Sequence, residues 1–262
     1  MNSSTICREW LKSLPPTQGY LKKEQHIGRE ILLERGMPSN KDEACRLCNF
    51  KKLNSFLSLP ITINKKDFTS KLKYRFPEKD KNRARIIINP NDNSNININL
   101  PNGIEILNEK EIEENIGKIV KSTNIKNDIS VCLNQASNTE LLALKVKSNI
   151  NESLEIVIPS TEENSISTRI FILIEEGAKL DLLQVFLGNN NSAQNHLIEI
   201  KLESKVELTH GLISMGEGKE SSSICTLAVE QSEQTKYSLH SLLHGWNYAR
   251  FEPRIIQSEG EA

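Results

Sequence analysis

No stretch of the chain approaches the ~18 to 20 consecutive apolar residues that cross a bilayer as a helix. The longest apolar runs, such as Phe171 to Ile174, are strand-sized, so hydropathy predicts a soluble protein and no membrane association. The opening residues, MNSSTICREWLKSLPP, lack the long uncharged apolar core of a secretory signal. Five cysteines at irregular spacing do not form a disulfide framework. Together these absences predict a reducing, cytoplasmic setting. An excess of one charge is missing too: 33 Lys and Arg stand against 34 Asp and Glu, leaving no overall field to draw in nucleic acid or an anionic surface. There is no G-x4-G-K-[ST] run, so nucleotide hydrolysis is not expected of this chain.

Among the residues present, Cys45 and Cys48 in EACRLCNF form a C-x-x-C pair. A structural zinc site needs two further thiolates or imidazoles. Cys7, Cys132 and Cys225 stand alone, and none of the five histidines is near enough in sequence to complete a knuckle. A thioredoxin-like pair would open a helix directly after a strand, whereas the segment before Cys45 is helical in pattern. Neither a metal nor a redox role is expected from the spacing.

The chain divides into an N-terminal helical region (1–80), a mixed entry segment with an Asn-rich loop (81–125) and a β-rich core (126–262). From His26, HIGREILLERG places Ile27, Ile31 and Leu32 on one stripe and ends on Gly36, suited to a left-handed helix terminus. Ser39 with Asp42 three residues on predicts a capped turn or short helix. Two amphipathic segments, Glu9 to Leu14 and Leu53 to Leu59, complete the helical region. Residues 89–102 are rich in asparagine and read as a loop or irregular hairpin. From Glu109, EKEIEENIGKIV predicts a helix with Ile112, Ile116, Ile119 and Val120 on one face.

From about Asp128 the apolar period changes to two. Successive blocks each hold a strand, a short polar kink and a second strand: ILIEEGAKLDLL, IEIKLESKVELT, LAVEQSEQTKYSL. No helix-length insertion separates them, which excludes a βαβ sheet. Aligning Leu180, Val206 and Thr235 gives spacings of 26 and 29 residues, which suit the coils of a solenoid better than the shorter turn spacing of a sandwich. The fold class predicted is mainly β, a parallel β-helix behind a small helical region, with Ile172, Ile174 and Leu182 filling its bore.

GMPSNKDEACRLCNF together with the later coils resembles the SufB/SufD family of iron–sulfur cluster assembly scaffolds, and is closer to SufD. That family's signature, G-x-P-[ST]-x-K-x-E-x-W-[RK]-[YF]-[ST], is met in phase by Gly36, Pro38, Ser39, Lys41, Glu43 and Arg46. Cys45 replaces the tryptophan, Leu47 the aromatic and Cys48 the hydroxyl residue, so the C-x-x-C is expected to pack rather than to bind. Similarity continues in DISVCLNQA from Asp128, in EEGAKLDLLQVFLG, and in HGWNYARFEPRIIQSEGEA with Gly245 and Arg250 in the family's positions. It covers Leu21 to Ala262.

The resemblance implies a right-handed β-helix and a complex with a SufB-like subunit and the ABC-type ATPase SufC. In that complex iron–sulfur clusters are assembled for transfer, and the chain itself is a non-catalytic scaffold that holds no cofactor. The family's later coils, its C-S-H-G segment and its ATPase-docking helices have no counterpart in these residues. No catalytic, cofactor-binding or metal-ligating residue is therefore carried over.

Some residues invite other readings. His240 and His244 have the i, i+4 spacing of a helical zinc pair, but on a strand they stand ~13 Å apart. His196 and His210 read as structural or solvent-facing, and Cys225 and Cys132 as buried small apolar residues. The alternative function is a polysaccharide-binding or polysaccharide-processing β-helix. Hydrolysis needs a carboxylate pair across a groove, yet Asp181 is the one aspartate after Asp128, and aromatics for sugar stacking are few, at 5%.

Overall fold

A column of left-handed backbone positions sets the shape of the chain. Asn149, Gly177, Lys205, Gln234 and Gly260 have φ of 57°, 71°, 61°, 57° and 66°; the first four sit in the polar kink where one strand turns into the next, and Gly260 follows β11. Their amides reach across to the neighbouring corner: Gly177 N donates to Ser204 O and Lys205 N to Glu233 O, both at 3.0 Å. The hydrogen-bond ladder thus continues around the bend, so these backbone groups are not left orphaned. Residues 3–39, 42–46, 48–61, 82–88, 100–160, 163–217, 220–258 and 260 are described by the computed structural model. Most of the predicted Asn-rich loop, 89–99, lies outside the described residues.

The strands are β1 (Ala84–Ile87), β2 (Ile104–Ile106), β3 (Glu140–Val146), β4 (Asn151–Pro159), β5 (Ser165–Ile174), β6 (Lys179–Leu187), β7 (Ala193–Leu202), β8 (Glu207–Met215), β9 (Ser222–Gln231), β10 (Lys236–His244) and β11 (Tyr248–Gln257). They form two sheets, ordered β1-β4-β6-β8-β10 and β11-β9-β7-β5-β3-β2. Pairing is parallel except between β2 and β3. From β3 onward consecutive strands alternate between the sheets, and the result is the expected parallel β-solenoid. Its bore is filled from both sides by Leu144, Ile172, Ile200 and Leu227 facing Ile156, Leu182 and Leu208, with Ile174 in the same cluster as predicted.

Helices cover the outer face of the longer sheet: α1 (Ser3–Ser13), α2 (Lys22–Arg35), α3 (Phe50–Phe56), α4 (Glu109–Asn115), α5 (Lys118–Ser122) and α6 (Ile129–Ser137). Trp10, Leu32, Leu53 and Leu133 pack on Ala193 and Ile224. Ile112, Ile119, Val120 and Val131 pack on Phe171, Leu197 and Ala228. Burial on both faces is why FILI is a continuous apolar run and not an alternating one.

Three expectations are corrected. Residues Ile129–Ser137 are helical, not part of a period-two block, and the core strands begin at Glu140. Wedged between α2 and the sheet, α6 buries every residue from Ser130 to Ser137, its polar Ser130, Asn134 and Ser137 included, so it shows none of the solvent-facing side that marks a surface helix. The helix predicted from Glu109 is two helices, divided at Gly117 with φ 78°; the first carries a capping box between Asn108 and Glu111. Finally, Leu180 pairs with Leu208, not Val206, although Val206 to Thr235 is correctly in register with Lys236 beside Glu207. A slip of two residues keeps every side chain on its own face, so apolar alternation cannot detect it.

Candidate functional site

Two groups of chemistry-bearing side chains stand out, one inside the bore and one at the last strand of the longer sheet. The bore group begins with His196 on β7 and His210 on β8, both fully buried. His196 Nδ1 accepts from Thr168 Oγ1 at 2.8 Å and Nε2 donates to Gln194 Oε1 at 3.1 Å, while the ring stacks on Phe186 with centroids 4.0 Å apart. His210 Nδ1 accepts from Tyr237 Oη and Nε2 donates to Gln184 Oε1, each at 2.9 Å. In each case the glutamine oxygen can only accept, so the imidazole carries its proton on Nε2. Burial lowers His196 to about 3 and His210 to about 4, leaving both rings neutral.

Register places Cys225 beside His196 on the adjacent strand. Burial drives the Cys225 thiol far above its ordinary value, so it stays protonated and packs as the small apolar residue expected. His196 and His210 are structural, as one half of the expectation had it, and not solvent-facing. Gln194 precedes His196 by two residues on the same face of β7, whereas Thr168, Gln184 and Tyr237 come from neighbouring coils, and no sequence motif announces those. His240 and His244 lie on β10, exposed on one face of a strand, which leaves them apart as predicted. Asp181 is exposed on β6 with no second carboxylate opposite it, its lateral neighbours being Ser153 and Thr209.

The second group lies where the N-terminal region meets β11. Cys45 ends a short 3-10 turn (Glu43–Cys45), opened by Asp42, whose Oδ2 accepts from Ser39 N at 2.6 Å. Cys48 N donates to Cys45 O at 2.9 Å, closing a four-residue turn around the pair. Cys45 is buried and Cys48 half-exposed. From β11, Arg250 Nη1 donates to Cys48 Sγ at 2.6 Å. Arg250 Nη2 pairs with Glu252, which in turn accepts from Ser130 Oγ at the start of α6. Burial opposes the Glu252 charge, but the bonds from Arg250 and Ser130 outweigh it and pull the carboxyl below its ordinary value.

Burial, with a smaller contribution from Cys48, raises Cys45 to about 11. Beside it a cavity of about 350 Å³ is lined by Met37, Asp42, Cys45, Asp128 and Cys132; burial lifts Cys132 to about 12 and also raises Asp128. The larger groove of about 1180 Å³ between α2 and α4, with Lys23, His26, Glu30 and Glu113, mixes both signs of charge.

Among the described residues no group of three or more His, Cys, Asp or Glu side chains could hold a metal ion, and no helix is long and apolar enough to cross a membrane. No protein-family model, curated protein or solved structure matches the chain.

Proposed function

We propose that the chain is an iron–sulfur cluster assembly scaffold subunit of the SufD kind, working in the cytoplasm with a SufB-like subunit and a SufC-like ABC ATPase, and not itself an enzyme. The observation that carries this reading is the architecture itself, a parallel β-solenoid with a helical region packed on one sheet, which is the arrangement the SufB/SufD resemblance implies. The motif order from Gly36 to Arg250 supplies the identity of the partners expected. Strand pairing along a sheet edge is the physical means of docking that the proposal calls for.

The polysaccharide reading gains no support from the site, where Asp181 lacks a partner carboxylate and the bore is packed. Co-expression of the tagged chain with the SufB-like and SufC-like proteins of the same organism tests the proposal. Retention of the SufB-like protein is expected; retention of neither overturns the scaffold reading.

A further inference from the structure

We propose that Cys45 and Cys48 form a dithiol site that exchanges with small disulfides, with Cys48 as the attacking sulfur and Cys45 as the resolving one. This goes beyond the scaffold reading and does not depend on it. The pair was expected only to pack, and Cys45 does. Cys48 is different: it is only half-buried, and its sulfur is held from one side by the Arg250 guanidinium. The charged and titratable groups around the pair are Arg250, Glu252 and Tyr248 on β11, with Arg35, Asp42 and Asp128 lining the cavity beside Cys45; Arg250 is the cation in direct contact with Cys48.

The i to i+3 turn brings the two Cα atoms within the reach of a disulfide. The cavity on the Cys45 side gives room for a leaving thiol. A more accessible attacker beside a buried partner is the division of labour that suits thiol–disulfide exchange, where the rate depends on access to the attacking sulfur.

In the first step the Cys48 thiolate attacks one sulfur of R–S–S–R, forming a mixed disulfide and releasing RS⁻. Cys45 then gives up its proton and attacks Cys48 Sγ, forming the Cys45–Cys48 bond and releasing the second RS⁻. The two thiol protons end on the two released thiols, and two electrons pass from the protein to the disulfide.

The test is equilibration of the whole native chain in oxidised and reduced glutathione, acid quenching, and peptide mapping by mass spectrometry. One internal disulfide between Cys45 and Cys48 is expected, with Cys7, Cys132 and Cys225 unmodified. Cys45→Ser should trap glutathione on Cys48, and Cys48→Ser should abolish reaction at Cys45. Arg250→Gln, which removes the group in contact with Cys48 Sγ, should slow alkylation of Cys48 at neutral pH. Wild-type protein that forms no Cys45–Cys48 disulfide under oxidising glutathione overturns the proposal, as does glutathione captured on Cys45 in preference to Cys48. Both of these readouts use the unsubstituted chain.

Discussion

Acidification from pH 7 to pH 5 sets two buried imidazoles against one buried carboxyl. His196 and His210 are held at about 3 and about 4 by burial, below the ordinary histidine value of about 6.5. Between those limits the unfolded chain binds protons that the folded chain does not, so stability falls as pH falls through the window and is unaffected above it. At pH 5 each ring costs about 2 kcal/mol relative to pH 7, about 4 kcal/mol together. Glu140, at the start of β3, works the other way. Burial raises it to about 7, so the folded chain binds its proton first, and the same acidification stabilises by about 2 kcal/mol.

The net expectation is a loss of about 2 kcal/mol at pH 5, because the two histidines outweigh the one carboxyl. Urea unfolding followed by far-ultraviolet circular dichroism at pH 7, 6 and 5 measures it. Glu140→Gln should deepen the loss to about 4 kcal/mol, while His196→Gln with His210→Gln should turn it into a gain of about 2 kcal/mol. The comparison uses the pH slope, so a lower starting stability of the double variant does not disturb it. An identical slope in wild type and double variant would falsify the claim that these rings are buried and neutral.

Two further variants test how the helices are fastened to the solenoid. Arg169 and Glu199 pair at 2.6 Å with both side chains fully buried, and Glu199 also accepts from Gly117 N and Val120 N at the start of α5. Glu199→Ala leaves the guanidinium with only the more distant Glu24, at 3.9 Å, and should cost about 3 to 5 kcal/mol in urea unfolding; a loss below about 1 kcal/mol would mean the pair is hydrated. A Cβ on Gly28 of α2 would lie 2.6 Å from Ala136 N and 2.9 Å from Cys132 O of α6. Backbone cannot swing aside, so Gly28→Ala should cost about 1 to 3 kcal/mol and loosen amide-exchange protection in α2 and α6 ahead of the strands.

The solenoid was legible because each strand writes its inner face as an alternation and each corner as a short polar kink. What alternation does not record is the lateral partner. Sliding a strand by two residues preserves every inward side chain, and the spacing of 26 read from Leu180 to Val206 is such a slip. The same limit hid the chemistry. Gln184 under His210 is a relation between coils, and Arg250 against Cys48 joins a coil to the N-terminal region across 202 residues. α6 escaped for a different reason, since its polar residues Ser130, Asn134 and Ser137 are buried along with its apolar ones and mark no solvent face.

The missing information lay in the corners. The left-handed positions Asn149, Gly177, Lys205, Gln234 and Gly260 are spaced 28, 28, 29 and 26 residues apart. Only Asn149, Gly177 and Gly260 are residue types that favour that conformation. Lys205 adopts it where its amide reaches Glu233 O of the next coil at 3.0 Å, so tertiary bonding overrides local preference there. Had the corners been aligned instead of the apolar strands, Leu180 would have fallen on Leu208; the spacing of 29 from Val206 to Thr235 already sets Cys225 next to His196. In a stacked-coil protein the register of the turns therefore decides which side chains meet, and the strands between them decide only whether those side chains face the bore or the helices.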